Sequence, residues 1–294
     1  MAASRVVVVG DVCTDVVVLL SGEPAPGSDR PAAISTAGGG AGANVAAHLA
    51  ALGTPVTLAG CVGDDLPGEA LRAGLAAAGV QLALRTVPGA PTGTIVSLVE
   101  PGGERSFLAD RGANLALQAA DVPTPVRGGH LHLSGYTLLA PGPRAAGLAA
   151  LARARAADCT VSVDPASTGP LAAHGVDRWL AETAAATLLL PNADEARLLT
   201  GCADPAAAAR ALAARHPVVV VTLGADGALW AAGDELVHRP AHPAVVVDTT
   251  GAGDAFTAGV LAAWTSSGGR PDPLRALDAG LARAAEVVAR PGAR

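Results

Sequence analysis

Short apolar runs alternate with alanine- and leucine-rich stretches along this chain, and this alternation constrains its fold more than any other feature. Runs that predict buried strands cover residues 6–9, 56–61, 130–133, 160–163, 188–190, 218–223 and 245–247. Helical patterns cover residues 43–52, 68–78, 144–157, 193–199, 206–214, 254–264 and 273–288. Because helices follow most of the strands, we expect an α/β fold with a doubly wound, mostly parallel sheet flanked by helices on both faces.

Two pairs of β-like segments interrupt this alternation. Residues 16–20 and 32–37 flank a glycine- and proline-rich stretch, and residues 94–100 and 104–109 flank Pro-Gly-Gly at 101–103. We expect two hairpins that form one small β lid, inserted at about 15–37 and 93–110 into a single domain of residues 1–294. Ordinary surface hairpins are the alternative. A small sheet leaves apolar surface and open edges, so the lid also predicts a homodimer.

Composition argues against several partners and chemistries. The formal net charge of −6 argues against a nucleic-acid partner. All 20 basic residues are arginine, which excludes a lysine Schiff base and the lysine of a Walker A loop. No apolar stretch reaches the roughly 18–20 residues that span a bilayer, and the chain opens without a signal-peptide pattern. We therefore expect no membrane partner and a cytoplasmic location. The 4 cysteines are widely spaced, which is typical of reduced thiols.

A glycine-rich step leads into the helix predicted at residue 254. Gly251, Ala252 and Gly253 leave little side-chain bulk there, so unpaired amides and the positive end of the helix dipole can meet an anion. Asp254 stands beside them, where a carboxylate can accept a proton. Amides that hold a transferring phosphoryl group, next to a carboxylate that deprotonates the attacking hydroxyl, predict a kinase site. A glycine turn with an aspartate helix cap is the alternative.

A second glycine-rich segment, residues 36–46, joins a strand-like segment to a helix. Its position after the first strand is too late, and its spacing wrong, for a dinucleotide-binding fingerprint, which argues against an NAD-dependent dehydrogenase. Its glycines let a ligand approach the backbone, and Asn44 offers both a donor and an acceptor. A plain loop with Asn44 in the first helical turn is the alternative.

Together these segments resemble the ribokinase-like (PfkB) carbohydrate kinase family. The strongest match is residues 248–256 with Gly259, and the second is residues 39–44. Shorter matches follow in the expected order at residues 10–15, 63–65 with Gly68, 192–195 and 222–227. The resemblance runs nearly end to end. It implies a ribokinase-like fold and ATP-dependent phosphorylation of a hydroxyl, expected to be a hydroxymethyl group, on a sugar or sugar-like small molecule.

The resemblance also implies a role for each matching residue. Asp254 would be the general base, and the amides of Gly251, Ala252 and Gly253 would form the anion hole for the γ-phosphate. The residues that would bind the acceptor are Asp15, Gly39, Gly40 and Asn44. Those that would bind ATP are Asn192, Thr222, Gly224 and Gly227.

The same resemblance implies two cation sites. Glu195 would organise Mg²⁺ through water, which suits a hard cation, although Asn192 and Glu195 can also form a simple helix capping box. Asp248 and Thr250 correspond to a monovalent-cation loop, for K⁺, in some members.

Departures from the family pattern leave the acceptor open. Ribokinases carry a lysine at the position of Ala41, an asparagine at that of Cys13 and a glutamate at that of Ser134. The loss of these polar contacts argues against ribose as the best substrate, because a buried hydroxyl left unpaired costs about 1–3 kcal/mol. Arg111 resembles the carboxylate-binding arginine of 2-keto-3-deoxygluconate kinases; a surface arginine neutralised by Asp110 is the alternative.

Three further functions stay open. A nucleoside kinase of the adenosine or pseudouridine type shares this fold and machinery. A sugar-phosphate kinase would need extra cations, for which only Arg105 and Arg111 are near the lid. A non-catalytic sugar-binding regulator on the same scaffold is the third.

Overall fold

The computed structural model describes residues 6–23, 27–100, 105–290 and 292–293, with the side chain of Arg105 excepted. The predicted turn at 101–103, residue 104 and the proposed cationic side chain of Arg105 therefore lie outside the described residues. In the described part the strands are β1 Val6–Val9, β2 Cys13–Leu20, β3 Ala32–Gly39, β4 Val56–Gly63, β5 Gln81–Val87, β6 Gly93–Val99, β7 Arg105–Asp110, β8 His130–Ser134, β9 Thr160–Asp164, β10 Leu188–Leu189, β11 Val218–Thr222, β12 Ala228–Ala232 and β13 Glu235–Arg239. The helices are α1 Ala41–Ala51, α2 Leu66–Ala77, α3 Tyr136–Leu139, α4 Pro141–Ala156, α5 Thr168–His174, α6 Val176–Thr183, α7 Ala193–Thr200, α8 Pro205–Ala213, α9 Ala252–Ser266 and α10 Pro273–Val288.

A central sheet carries the fold, with the strand order β13-β12-β11-β10-β9-β8-β1-β4-β5 in the described residues. Strand β1 lies inside the sheet and pairs in parallel with β4 and β8, while β12 and β13 are antiparallel. All four valines of β1 are buried, as expected for a parallel strand covered on both faces. Helices α1, α2, α9 and α10 pack against one face and α4 to α8 against the other, so the predicted doubly wound architecture is observed.

A second sheet has the order β3-β2-β6-β7. The predicted hairpins appear as β2 with β3 and β6 with β7, and the parallel pairing of β2 with β6 joins them. Only Gly40 separates the end of β3 from the start of α1. The small sheet is therefore connected, with almost no linker, to a helix that packs on the central sheet. Four large apolar side chains of the small sheet are strongly exposed: Leu19 at 50%, Ile34 at 67%, Phe107 at 60% and Leu108 at 58%. We refer to β2, β3, β6 and β7 as the lid sheet.

The prediction of a strand at residues 245–247 is wrong. Val245, Val246 and Val247 lie in a loop and are 80%, 63% and 55% exposed. The β12–β13 hairpin lies beside β11, and the apolar pattern did not predict this hairpin. The loop is held instead by the amides of Val247 and Asp248, which both donate to the carbonyl of Val288.

Several short elements were also missed, namely β5, α3, α5 and α6. Each is short or only half-buried, so its apolar periodicity is weak. Within the described residues, no helix combines the length and apolar character needed to cross a membrane.

Candidate active site

Parallel strands and the helices that follow them meet in a cavity of about 200 Å³. Its lining comes from the ends of β9 and β11, the start of α7 and the first turns of α9. The lining residues are Asp164, Ala166, Leu190, Asn192, Glu195, Thr222, Gly251, Gly253, Asp254 and Thr257. Six of them are predicted site residues, and they come from three segments of the sequence: 192–195, 222 and 251–254. The fold brings these three segments together.

The start of α9 forms one wall of this cavity. Gly251 is the N-cap residue, in the left-handed region at φ 74°, and a Cβ there would lie 2.6 Å from the Cβ of Ala293. Only glycine fits that combination without strain. A Cβ built at Gly253 would meet no atom within 4 Å, so this backbone borders open space. The first amides of a helix have no partners within the helix. Here the amide of Ala252 donates to the carbonyl of the preceding Thr249 at 3.2 Å, and the start of α9 borders a space that an anion could fill.

Asp254 contacts a residue of the second glycine-rich segment. Nδ2 of Asn44, in the first turn of α1, donates to Oδ2 of Asp254 at 2.8 Å. The N-cap residue of α9 is Gly251, and Asp254 is the third residue of the helix, so Asp254 does not occupy the N-cap position. Oδ1 of Asn44 is buried without a hydrogen-bond partner in the described residues. Because buried polar atoms are normally paired, this oxygen is available to a ligand donor.

Close backbone contacts surround the residues predicted to bind the acceptor. A Cβ at Gly39 would lie 2.1 Å from the carboxylate of Asp15, and Gly40, at φ 91°, passes the carbonyl of Asp11. These glycines allow the end of the lid sheet to approach the loop after β1. The carboxylate of Asp15, on β2, lies beside Gly39 where the two segments approach.

A second carboxylate, Asp164, lies in the cavity with Glu195, and the sequence reasoning missed it. Burial raises the pKa of Glu195 and the nearby Asp164 raises it further; burial also raises the pKa of Asp164. Two carboxylates in one cavity repel each other, which disfavours their ionised forms. A divalent cation bound between them would offset this repulsion and stabilise the ionised forms. The sequence feature that could have identified Asp164 is its position at the end of a buried strand, where the carboxyl edge of the sheet lies.

The capping-box interpretation of Asn192 and Glu195 also holds. The amide of Asn192 donates to Oε2 of Glu195 at 2.9 Å, and the amide of Glu195 donates to Oδ1 of Asn192 at 2.8 Å. This box fixes the Glu195 carboxylate at the cavity wall, so the structural and the functional roles are compatible. No group of three or more His, Cys, Asp or Glu side chains in the described ranges could hold a metal. A cation would therefore draw its other ligands from water and phosphate.

The predicted nucleotide glycines lie next to the cavity rather than in its lining. Gly224 and Gly227 form a tight turn after β11, with φ values of 61° and 98°. A Cβ at Gly227 would lie 2.0 Å from the carbonyl oxygen of Arg239. The turn is thus packed against the start of the loop that carries Val245 to Val247.

The predicted monovalent-cation residues tie two loops together. Oδ1 of Asp248 accepts hydrogen bonds from the amide and the hydroxyl of Thr250 at 2.9 and 2.7 Å. Oδ2 of Asp248 accepts from the amide of Gly292 at 3.0 Å. These contacts give Asp248 a local role at the entrance to α9 that does not depend on an ion. Neither Asp248 nor Thr250 lines the cavity.

Arg111 is not the surface residue of the alternative interpretation. Its side chain is only 16% exposed, and its Nη2 lies 2.6 Å from Oδ1 of Asp11. Nη1 donates to the carbonyl of Tyr136, and the guanidinium lies 5.2 Å from the centre of the Tyr136 ring. Its acidic partner is therefore Asp11 and not Asp110, which accepts from the amide of Gly112. Arg111, just after β7, meets Asp11, just after β1, because the end of β7 approaches the end of β1. The local sequence around Arg111 could not indicate this pairing.

Comparison with known proteins decides the family. The model of the pfkB family carbohydrate kinases matches residues 3–294. The chain belongs to this family. A fructokinase of Klebsiella pneumoniae is 37% identical over 257 residues, which cover 84% of this chain and 82% of the fructokinase.

Solved structures of similar kinases match this pfkB-family chain over its full length. The adenosine kinase of Sinorhizobium meliloti superposes with a TM-score of 0.89 at 26% identity, covering 100% of this chain and 96% of that one. A fructokinase of Vibrio cholerae, solved with fructose, ADP and a calcium ion, has a TM-score of 0.81 at 26% identity, covering 100% and 95%. The predicted ribokinase-like fold and the ATP-dependent carbohydrate kinase activity are thereby confirmed.

Proposed function

We propose that this kinase transfers the γ-phosphoryl group of ATP to a hydroxymethyl group of a sugar or nucleoside, with Asp254 as general base. The observation that carries the proposal is the 2.8 Å hydrogen bond between Asn44 and Asp254. It joins the glycine-rich loop on the acceptor side to the first turn of α9 on the phosphate side. One carboxylate therefore stands between the two places where the reactants would bind.

In the proposed reaction Asp254 accepts the proton of the acceptor hydroxyl as the oxygen attacks phosphorus. Asn44 holds the carboxylate in one orientation, and the amides of Gly251, Ala252 and Gly253 donate to the oxygens of the transferring group. The lid sheet would exclude water from the closed site and so suppress hydrolysis of ATP.

We assign Mg²⁺ to the cavity wall formed by Asp164 and Glu195, which would hold it directly or through water. When bound there, Mg²⁺ would neutralise charge on the phosphates. We also assign a monovalent cation, K⁺, to the loop of Asp248 and Thr250, where it would brace the entrance to α9. A comparison of activity in K⁺ and in a bulky organic cation tests that assignment.

We infer that ATP lies along the turn after β11. Thr222 and Asn192, the N-cap residue of α7, both line the cavity. A Cβ built at Gly224 would meet no atom within 4 Å, so the backbone at this end of the turn borders open space. The neighbouring loop exposes three valines. A planar base packed on them would remove apolar surface from water, at about 25 cal/mol per Å².

Two acceptor classes are favoured by specific observations. Oδ1 of Asn44 and Oγ of Ser134 are both buried without partners in the described residues, so each can pair with an acceptor hydroxyl. The resemblance to a fructokinase supports a ketohexose, and the TM-score of 0.89 to an adenosine kinase supports a nucleoside. We propose that Arg111 borders the acceptor, since its Nε is also buried without a described partner.

We further propose a homodimer through the lid sheet, located in the cytoplasm. Support comes from the exposed apolar residues of both lid faces, among them Leu19 and Ile34. A monomeric mass in light scattering at micromolar concentration would contradict the dimer.

A phosphotransfer screen across pentoses, hexoses, sugar acids and nucleosides, run with Asp254→Asn beside the wild type, tests the assignment. We expect kcat of the variant to fall by about 10²–10⁴-fold, while ATP binding changes less than about threefold. Asp158→Asn is the matched control, because Asp158 is 67% exposed, pairs with Arg127 and lies before β9, at the end remote from the cavity. Turnover of Asp254→Asn within a few fold of wild type would show that another group is the base.

A further inference from the structure

Residues 292 and 293 pack behind the proposed anion hole. A Cβ at Gly251 would lie 2.8 Å from Cα and 2.9 Å from the carbonyl oxygen of Ala293, so the two backbones are in direct contact. Ala293 is only 2% exposed, and Gly292 donates its amide to Asp248. The left-handed conformation of Gly251 is therefore set in part by a segment more than 40 residues away in sequence.

His48 of α1 holds that segment. Nε2 of His48 lies 2.9 Å from the carbonyl oxygen of Ala293, and Nδ1 lies 3.0 Å from Nη2 of Arg283. A guanidinium can only donate, so Nδ1 must be the acceptor and Nε2 must carry the hydrogen. Arg283 thus selects the tautomer of His48 that donates to Ala293. The imidazole is 2% exposed, which keeps water from competing for this bond.

Asn44 and His48 lie four residues apart and therefore on the same side of α1. Asn44 contacts the carboxylate of Asp254, and His48 contacts the segment that backs Gly251. One helix thus fixes the proposed base directly and the proposed anion hole through Ala293. A displacement of about 1 Å in such a site can cost on the order of 10²-fold in rate.

We propose that His48 is a positioning residue for phosphoryl transfer, which holds Ala293 against Gly251 and so sets the direction of the anion-hole amides. The role rests on the proposed function, since it requires that Gly251 to Gly253 receive the γ-phosphate. This role differs from general packing because it needs a hydrogen-bond donor and an acceptor on opposite sides of the side chain, as the two nitrogens of the imidazole ring supply them. A glutamine can supply both groups, whereas alanine supplies neither.

The test compares His48→Ala and His48→Gln with wild type, using kcat per active site and KM for the best acceptor from the screen. We expect His48→Ala to lower kcat about 10–100-fold with KM for the acceptor changed less than about threefold, and His48→Gln to recover kcat to within about threefold. His216→Ala is the control for the loss of a buried histidine: His216 is 1% exposed and precedes β11 at the end remote from the cavity. Its kcat should match wild type.

Binding supplies a second readout that does not require turnover. With Mg²⁺ present, His48→Ala should weaken binding of the β,γ-imido analogue of ATP more than that of ADP, by about 3–10-fold, because only the analogue carries a γ-phosphate. If His48→Ala does not fold, Arg283→Met removes the tautomer-selecting donor and should shift both readouts in the same direction.

Two results would overturn the role of His48: per-site kcat of His48→Ala within threefold of wild type, or His48→Gln as impaired as His48→Ala. Asp254→Asn in the same assay separates this from failure of the proposed function. If Asp254→Asn keeps its turnover, the assigned chemistry is wrong; if only Asp254→Asn loses turnover, the chemistry stands and the positioning role is wrong.

Discussion

Two histidines on β8 are buried and hydrogen-bonded to hydroxyl groups of the neighbouring strand β9. His130 lies 2.8 Å from the hydroxyl of Thr160 and 2.7 Å from that of Ser162, and His132 lies 2.8 Å from the same Ser162 hydroxyl. Both histidines are 1% exposed. Burial lowers the pKa of each to about 3, and for His130 the charge of His132 adds to the effect. They are therefore neutral in the folded protein across the physiological range.

This predicts a specific loss of stability in acid. In the unfolded chain each histidine has a pKa near 6.5, so below that pH the unfolded state binds protons that the folded state refuses. Stability is fully present above pH 6.5 and is lost as the pH falls towards 3. Between pH 7 and pH 5 the free energy of unfolding should fall by about 2 kcal/mol for each histidine, or about 4 kcal/mol for the pair.

Urea denaturation of wild type and of the double variant His130→Asn/His132→Asn, at pH 7 and pH 5, measures this loss. Asparagine keeps a hydrogen-bonding side chain that does not titrate. Asp164 and Glu195, whose pKa values are raised, act with the opposite sign, because they favour the folded state as the pH falls. Their contribution is common to both proteins and cancels in the difference. If the stability difference between the two proteins changes by less than about 1 kcal/mol between the two pH values, the two histidines are not held neutral by burial.

Three further predictions concern the site and its supports. Glu195→Gln should raise the Mg²⁺ concentration for half-maximal activity at least about tenfold, measured by Mg²⁺ titration at saturating ATP; an unchanged midpoint would place the ion elsewhere. Ala166→Gly should increase the free energy of unfolding by up to about 1 kcal/mol in urea, because Ala166 has φ 79°; a loss would mean that the turn is unstrained. Arg111→Met should cost about 3–5 kcal/mol of stability at pH 7, because it leaves Asp11 buried and unpaired, and adding Asp11→Asn should recover most of it; no recovery would exclude the pair as the cause.

Local sequence predicts the interior of this fold well where burial and periodicity agree. The β-branched run at 6–9 is buried on both sides and forms a strand over the predicted range, and α10 begins and ends where its apolar pattern does. The same logic fails at 245–247, because a β-branched run favours a strand only where a neighbouring strand offers hydrogen bonds. In the described residues the neighbour of β11 is β12 of the β12–β13 hairpin, and strand pairing is a property that a single sequence window cannot show.

The candidate site divides in the same way. Glycine steps and the acidic residue after them indicate a phosphate site locally, because their backbone geometry is local. Asp164, His48 and the partner of Arg111 could not be found from spacing alone. Tertiary packing brings each of them to its place: Asp164 near Glu195, His48 against Ala293 and Arg111 against Asp11.

The chain path links the predicted acceptor-binding segment to the proposed general base. Strand β3 of the lid sheet passes through Gly40 into α1 without a loop, and Asn44 lies one turn later. The lid edge, the acceptor loop and the side chain that contacts Asp254 therefore belong to one continuous segment. In the proposed reaction a lid displaced from the acceptor would pull on the helix that orients the base. A water molecule that enters without the acceptor would then meet a carboxylate that is less well placed to deprotonate it, and this coupling favours transfer to an alcohol over hydrolysis.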